Sequence, residues 1–139
     1  MKRNTVVKML SAAVMCLAMN MYHEARSEGI QGMMAVAEVT MNRVESDKFP
    51  DNVCEVVEQG YHKGKHRCQF SWYCDGKSDK MRDEHWRLTA EELAIDYLTG
   101  FDSNFTQGAT FYHASYVKPY WAKHFEKTTQ IGTHIFYKE

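Results

Sequence analysis

The sequence predicts one small domain of the α+β class over residues 1–139, mainly helical, with a small antiparallel β element near its end. Three observations carry this. Apolar residues recur at helical spacing through the first third, a capping signal marks a further helix past the middle, and two short β-branched and aromatic runs follow. A chain of 139 residues, 44% hydrophobic and 25% charged, is globular in composition and leaves no room for a second domain of ordinary size. Folding should bury about two-thirds of its unfolded surface. Seventeen basic residues face 18 acidic ones, a net charge of -1, so no field gathers phosphates and no nucleic-acid partner is expected.

The elements follow in order. Lys2, Arg3 and Lys8 precede an apolar run from Met9 to Met19, as in the charged and apolar regions of an export signal. That run is shorter than the ~20 residues a bilayer takes, so no stable membrane insertion is expected. No small-x-small cleavage site follows it. Leu10, Val14, Leu17, Ala18 and Met21 make one apolar face, and we read a first core helix running to about Ala25. Export is the minority reading. Ser27-Glu28-Gly29 breaks the pattern, and a second helix from about Ile30 to Val44 places Met33, Val36, Ala37, Thr40, Met41 and Val44 on one face. Asp47 to Pro50 is a turn, and Val53 to Val57 a short apolar element. Residues 59–83 are polar, basic and aromatic together and read as a long surface loop, a place where function concentrates. Thr89 with Glu92 reads as the capping box of a third helix ending at Gly100, with Leu93, Tyr97 and Leu98 inward. Strands are expected over Ala109–His113 and His134–Tyr137, with an aromatic, basic stretch, Tyr116 to Phe125, between them.

The four cysteines are too few for a disulfide scaffold. Cys16, in the apolar run, reads as a buried thiol. Cys54, Cys68 and Cys74 share a loop-like stretch where one disulfide could form. Cys68 and Cys74 with His62 and His66 match zinc spacing only loosely.

The chemistry concentrates in Tyr22-His23-Glu24-Ala25-Arg26-Ser27-Glu28. Glu24 falls at the C-terminal end of an apolar helix, where the dipole is negative and the surroundings partly dry. Both effects favour a protonated carboxyl. That is the state general-acid cleavage of a glycosidic bond requires. Arg26 could hold either carboxylate ionised through a bidentate pair. Spacing alone favours the plainer reading, in which Glu24, Arg26 and Glu28 cap helices and pair on the surface. The histidines lack an H-E-x-x-H arrangement, and no G-x-S-x-G elbow or phosphate-binding glycine loop occurs. Exposed rings form a third signal. Phe70, Trp72, Tyr73, Tyr112, Tyr116, Tyr120 and Trp121, beside Gln69, Asn104, Lys118 and Lys123, could line a sugar or peptide groove. Trp72 and Trp121 fit groove and core equally; Phe111 and Phe136, at strand centres, fit the core better.

The order of motifs resembles one family. Glu24-Ala25-Arg26-Ser27-Glu28, Gln31-Gly32-Met33-Met34-Ala35-Val36-Ala37, Asn42-Arg43-Val44 and Phe49-Pro50 are similar to the spore cortex-lytic enzyme, or cell wall hydrolase, family. Gln69-Phe70-Ser71, Phe111-Tyr112 and Ile131-Gly132-Thr133-His134-Ile135-Phe136 follow in the same order, so the likeness covers nearly the whole chain. It implies a small lysozyme-like domain that degrades peptidoglycan as a lytic transglycosylase, with Glu24 as the single catalytic glutamate and no metal or cofactor. Ser27 stands where that family usually has glycine. Glu28, Arg26, Gln69, Ser71 and Tyr112 are the expected substrate contacts. Hydrolysis as a muramidase, with Glu28 as second carboxylate, is the close alternative; a zinc-dependent N-acetylmuramoyl-L-alanine amidase or a wall-binding module are the others. Cys-Gln-Phe-Ser-Trp-Tyr-Cys most resembles the bacteriophage-encoded branch. An endolysin made in the host cytoplasm, acting as a monomer on glycan strands at the cell wall, is therefore expected.

Overall fold

The computed structural model describes residues 3–139, and the charged start at Lys2 lies outside them. Four α-helices come first in importance: α1 (Arg3–Ala25), α2 (Gly29–Val44), α3 (Val53–Val57) and α4 (Glu84–Leu98). A three-stranded antiparallel sheet follows, β1 (Phe111–Ala114), β2 (Glu126–Ile131) and β3 (His134–Lys138), in the order β1-β3-β2. No described helix is long and apolar enough to cross a membrane.

The α1 stripe Leu17, Ala18, Met21, Tyr22 and Ala25 is buried, and it packs on Met33, Val36 and Ala37 of α2 and on Ala90, Ala94 and Tyr97 of α4. Leu10 departs from the expected face: it is 49% exposed, because the helices that cover α1 meet its second half. Polar groups inside this core are matched. Asn20 donates to Thr40 Oγ1 at 3.0 Å and accepts from Trp72 Nε1 at 2.9 Å, so Trp72 belongs to the core.

Three local readings are corrected. Thr89 lies inside α4, its hydroxyl bonded to the His85 carbonyl, and Asp83 is the true cap, its carboxylate accepting from Trp86 N–H. Cys16 is no thiol: it is bonded to Cys54, joining α1 to α3, and Cys68 is bonded to Cys74. The long loop is thus a stapled segment of 3₁₀ turns that sends Phe70 and Trp72 inward. Finally, β2 was not expected as a strand. Glu126, Lys127 and Gln130 are exposed, and its pairing with β3 is broken by an irregularity between Lys127 and Thr129, so the sequence shows no clean alternation.

Candidate active site

Glu24 closes the last turn of α1 and is half-buried. Burial raises its pKa above the ordinary carboxyl range; a hydrogen bond from Tyr112 and the charge of Arg43 pull it partly back. Tyr112 Oη, on β1, donates to Glu24 Oε1. The tyrosine is itself half-buried beside this carboxyl, and desolvation with the neighbouring charge pushes its pKa well above its ordinary value and keeps it a donor. Oε2 takes no hydrogen bond from the described residues. The result is a carboxyl that burial biases toward its acid form, oriented at one oxygen by Tyr112.

Glu28 has the opposite surroundings. It ends the 3₁₀ turn Arg26–Glu28, and its Oε1 accepts from Thr133 N–H at 2.9 Å and from the Thr133 hydroxyl. Those bonds hold its pKa below the usual value. Two glycines make room for it. A Cβ on Gly132, where φ is +58°, would lie 2.7 Å from Glu28 Oε2, and one on Gly32 would lie 2.3 Å from Glu28 Cβ. Glu28 therefore latches the β2–β3 hairpin to the helices. Ser27, in place of glycine, has no positive φ and strains nothing.

Arg43, near the end of α2, was not singled out from the sequence. It is 4% exposed, donates from Nε to the Thr110 carbonyl at 2.7 Å, and lies 4.8, 5.1 and 5.1 Å from the ring centres of Phe49, Phe70 and Phe111. Its Nη1 is buried without a partner. Burial lowers its pKa to about 10, so it remains a cation at neutral pH and acts on Glu24 and Tyr112 without forming an ion pair with either. The signal was present in the sequence: Asn-Arg-Val, Phe-Pro, Gln-Phe-Ser and Phe-Tyr each contribute one member of this stack.

The remaining expected contacts are spread out. Gln69 is exposed on the rim of a cleft of about 480 Å³ that it lines with Arg43, Phe111, Tyr112, Tyr120 and Trp121. Trp121 and Phe111 thus face this cleft rather than a closed core. Ser71 opens a 3₁₀ turn outside the cleft lining. Arg26 pairs with neither carboxylate; its guanidinium folds over the Tyr22 ring at 4.5 Å and bonds the Tyr22 carbonyl. Among the described residues no group of three or more His, Cys, Asp and Glu side chains is placed to hold a metal.

A family model described as Cell Wall Hydrolase matches residues 27–137. The chain belongs to the cell wall hydrolase family. The match begins just after Glu24, so the position of the acid rests on the geometry above. The spore cortex-lytic enzyme of Halalkalibacterium halodurans is 33% identical over 124 residues, covering 88% of this chain and 34% of that protein. Its Bacillus subtilis counterpart is 28% identical over 120 residues, 86% of this chain and 35% of its own length. The chain thus spans about a third of these curated relatives. Among solved structures, the catalytic domain of the germination-specific lytic transglycosylase SleB from Bacillus anthracis superposes with a TM-score of 0.71 at 29% identity. It covers 91% of this chain and 93% of that one. The SleB catalytic domain of Bacillus cereus gives 0.70, also at 29% identity, over 91% and 89% of the two chains. The small α+β architecture expected from the sequence is the one these domains share.

Proposed function

We propose that this member of the family cleaves the glycosidic bond between N-acetylmuramic acid and N-acetylglucosamine as a lytic transglycosylase. The observation that carries this is a single carboxyl whose pKa burial raises. Burial raises the pKa of Glu24, which is bonded to Tyr112 of the cleft lining, while Glu28, the nearest acid in sequence, is occupied by Thr133. Hydrolysis by the usual route needs a second free carboxylate across the sugar ring. Ring closure does not.

Glu24 gives its proton to the bridging oxygen as the bond from muramic C1 to that oxygen breaks, and the sugar passes through an oxocarbenium-like state. Glu24, now a carboxylate, takes the proton from the muramic C6 hydroxyl, and the C1–O6 bond closes a 1,6-anhydro ring. No water is consumed. The Tyr112 hydrogen bond and the Arg43 charge stabilise the carboxylate between the two proton transfers, while burial favours its acid form before and after. The flat rings of Phe111, Tyr120 and Trp121, with Gln69, suit a sugar strand in the cleft.

For the biological setting we propose a phage-type endolysin, made in the host cytoplasm and acting as a monomer at the wall, a reading supported by the likeness of the Cys68–Cys74 segment to the bacteriophage branch. Two disulfides fit a protein that works in an oxidising space outside the cytoplasm. Mass spectrometry of soluble products from purified sacculi tests the chemistry. Wild type should release fragments ending in 1,6-anhydro-muramic acid, and Glu24→Gln should release none. Reducing muramic ends would replace the reading with hydrolysis, and free stem peptides with intact glycan would replace it with an amidase.

A further inference from the structure

The mechanism leaves the basic, aromatic loop without a role. A concavity of about 600 Å³ lies against the Cys68–Cys74 bridge, lined by Tyr61, His62, Lys65, Tyr73, Cys74 and Lys77. The sugar cleft touches the same bridge at Cys68. Lys65 and Lys77 are exposed, and neither forms an ion pair with a described carboxylate. Of the two acids nearest Lys77 in sequence, Asp75 accepts the backbone N–H of Lys77 at 2.8 Å and so shapes the turn, and Asp79 lies toward His23 and Tyr73. Gly76, at φ +81°, lets Lys65 lie across that turn: a Cβ there would stand 2.8 Å from Lys65 Cε.

The Tyr61 and Tyr73 rings meet edge to face at 5.5 Å. Both also line a second concavity of about 480 Å³, shared with Glu55 and Glu58. Burial and the neighbouring Glu58 keep the Tyr73 hydroxyl protonated. One groove therefore runs from two ammonium groups, over two aromatic rings, to two carboxylates. A neutral glycan leaves all four charges unmatched, and a uniformly anionic polymer is repelled at the acidic end. An extended peptide carrying carboxylates and a free amine matches both ends.

We propose that this groove binds the peptide stem of peptidoglycan, its carboxylates at Lys65 and Lys77 and its diamino-acid amine toward Glu55 and Glu58, while the attached sugar occupies the cleft across the disulfide. The identity of the ligand rests on the peptidoglycan reading above. Calorimetric titration of the whole chain with a soluble stem tetrapeptide bearing a free amine tests it. Saturable binding should appear and weaken about tenfold in Lys65→Gln/Lys77→Gln, the loss of about one charge-assisted hydrogen bond. Both lysines are exposed, so the variant keeps its fold. Acetylating the peptide amine should weaken binding to the wild type. Absence of saturable binding, affinity unchanged in the double variant, or tighter binding of a glycerol-phosphate oligomer would each overturn the proposal. Wild type that cleaves sacculi without binding the peptide fails this inference alone. Peptide binding without glycan cleavage fails the transglycosylase reading and leaves the groove standing.

Discussion

Glu24 and Glu28 stand four residues apart on either side of the α1–α2 turn, yet the fold makes them opposite reagents. Glu24 lies half-buried between helix and sheet, bonded to Tyr112 and under the Arg43 charge, and burial raises its pKa. Glu28 sits at the surface with two donors from one threonine, and its proton is lost easily. The difference teaches that a carboxyl's role is set by what the distant chain brings to it. Tyr112 and Thr133 both come from the C-terminal sheet, each from a different strand or turn.

That contrast can be broken from either side. The largest effect belongs to Glu24→Gln, which should lower sacculus turnover by about 10²–10⁴-fold, the usual contribution of a general acid. The same variant should be more stable than wild type at neutral pH. A carboxyl whose folded pKa is raised favours the protonated fold, so its stability falls as pH climbs from the unfolded pKa toward the folded one. Thermal unfolding across that range checks the sign: the advantage of glutamine should shrink toward low pH. Tyr112→Phe comes next. Losing a hydrogen bond to a charged group costs about 1.5–3 kcal/mol, or roughly ten- to a hundredfold in rate. Because that bond lowers the Glu24 pKa, the alkaline limb of the rate profile should move upward in the variant.

Glu28 responds through stability. Gly132→Ala should cost about 1–2 kcal/mol from its left-handed backbone, with a further cost from its contact with the Glu28 carboxylate, and that excess should vanish in a Glu28→Ala background, where the contacting atoms are gone. Glu28→Gln alone should cost about 1 kcal/mol, the size of one net hydrogen bond. Its effect has the opposite pH sign to that of Glu24. With a folded pKa held low, the carboxylate stabilises above its unfolded pKa, and that contribution is lost as pH falls through the folded value. Wild type and Glu28→Gln should therefore converge in acid and diverge toward neutrality. Urea melts at a series of pH values check this.

Much of this arrangement was legible in the sequence. Helical spacing located α1 and α2 because both bury one clean face, and β3 was visible through its β-branched and aromatic run. Glu24 was legible as a candidate acid from its place at an apolar helix end, but its tyrosine partner was not, since Tyr112 is 88 residues away and spacing carries no information across such a gap. The same limit hid the Arg43 stack and the Cys16–Cys54 bond, which only the packing of α1 on α3 brings together. Thr89 misled because a capping box is a local pattern, and the packing of Trp86 and Ala90 extends α4 back to Asp83. Strand β2 left no trace because its exposed charged residues follow the demands of an edge, where polar side chains are the rule.

The most direct measurement of a lone acid/base at Glu24 is digestion of sacculi in water enriched with oxygen-18, reading the muramic ends by mass spectrometry. Ring closure by Glu24 takes no solvent oxygen, so every new end should be a 1,6-anhydro sugar without label. Label at muramic C1 would mean that water attacks, and that a second group activates it.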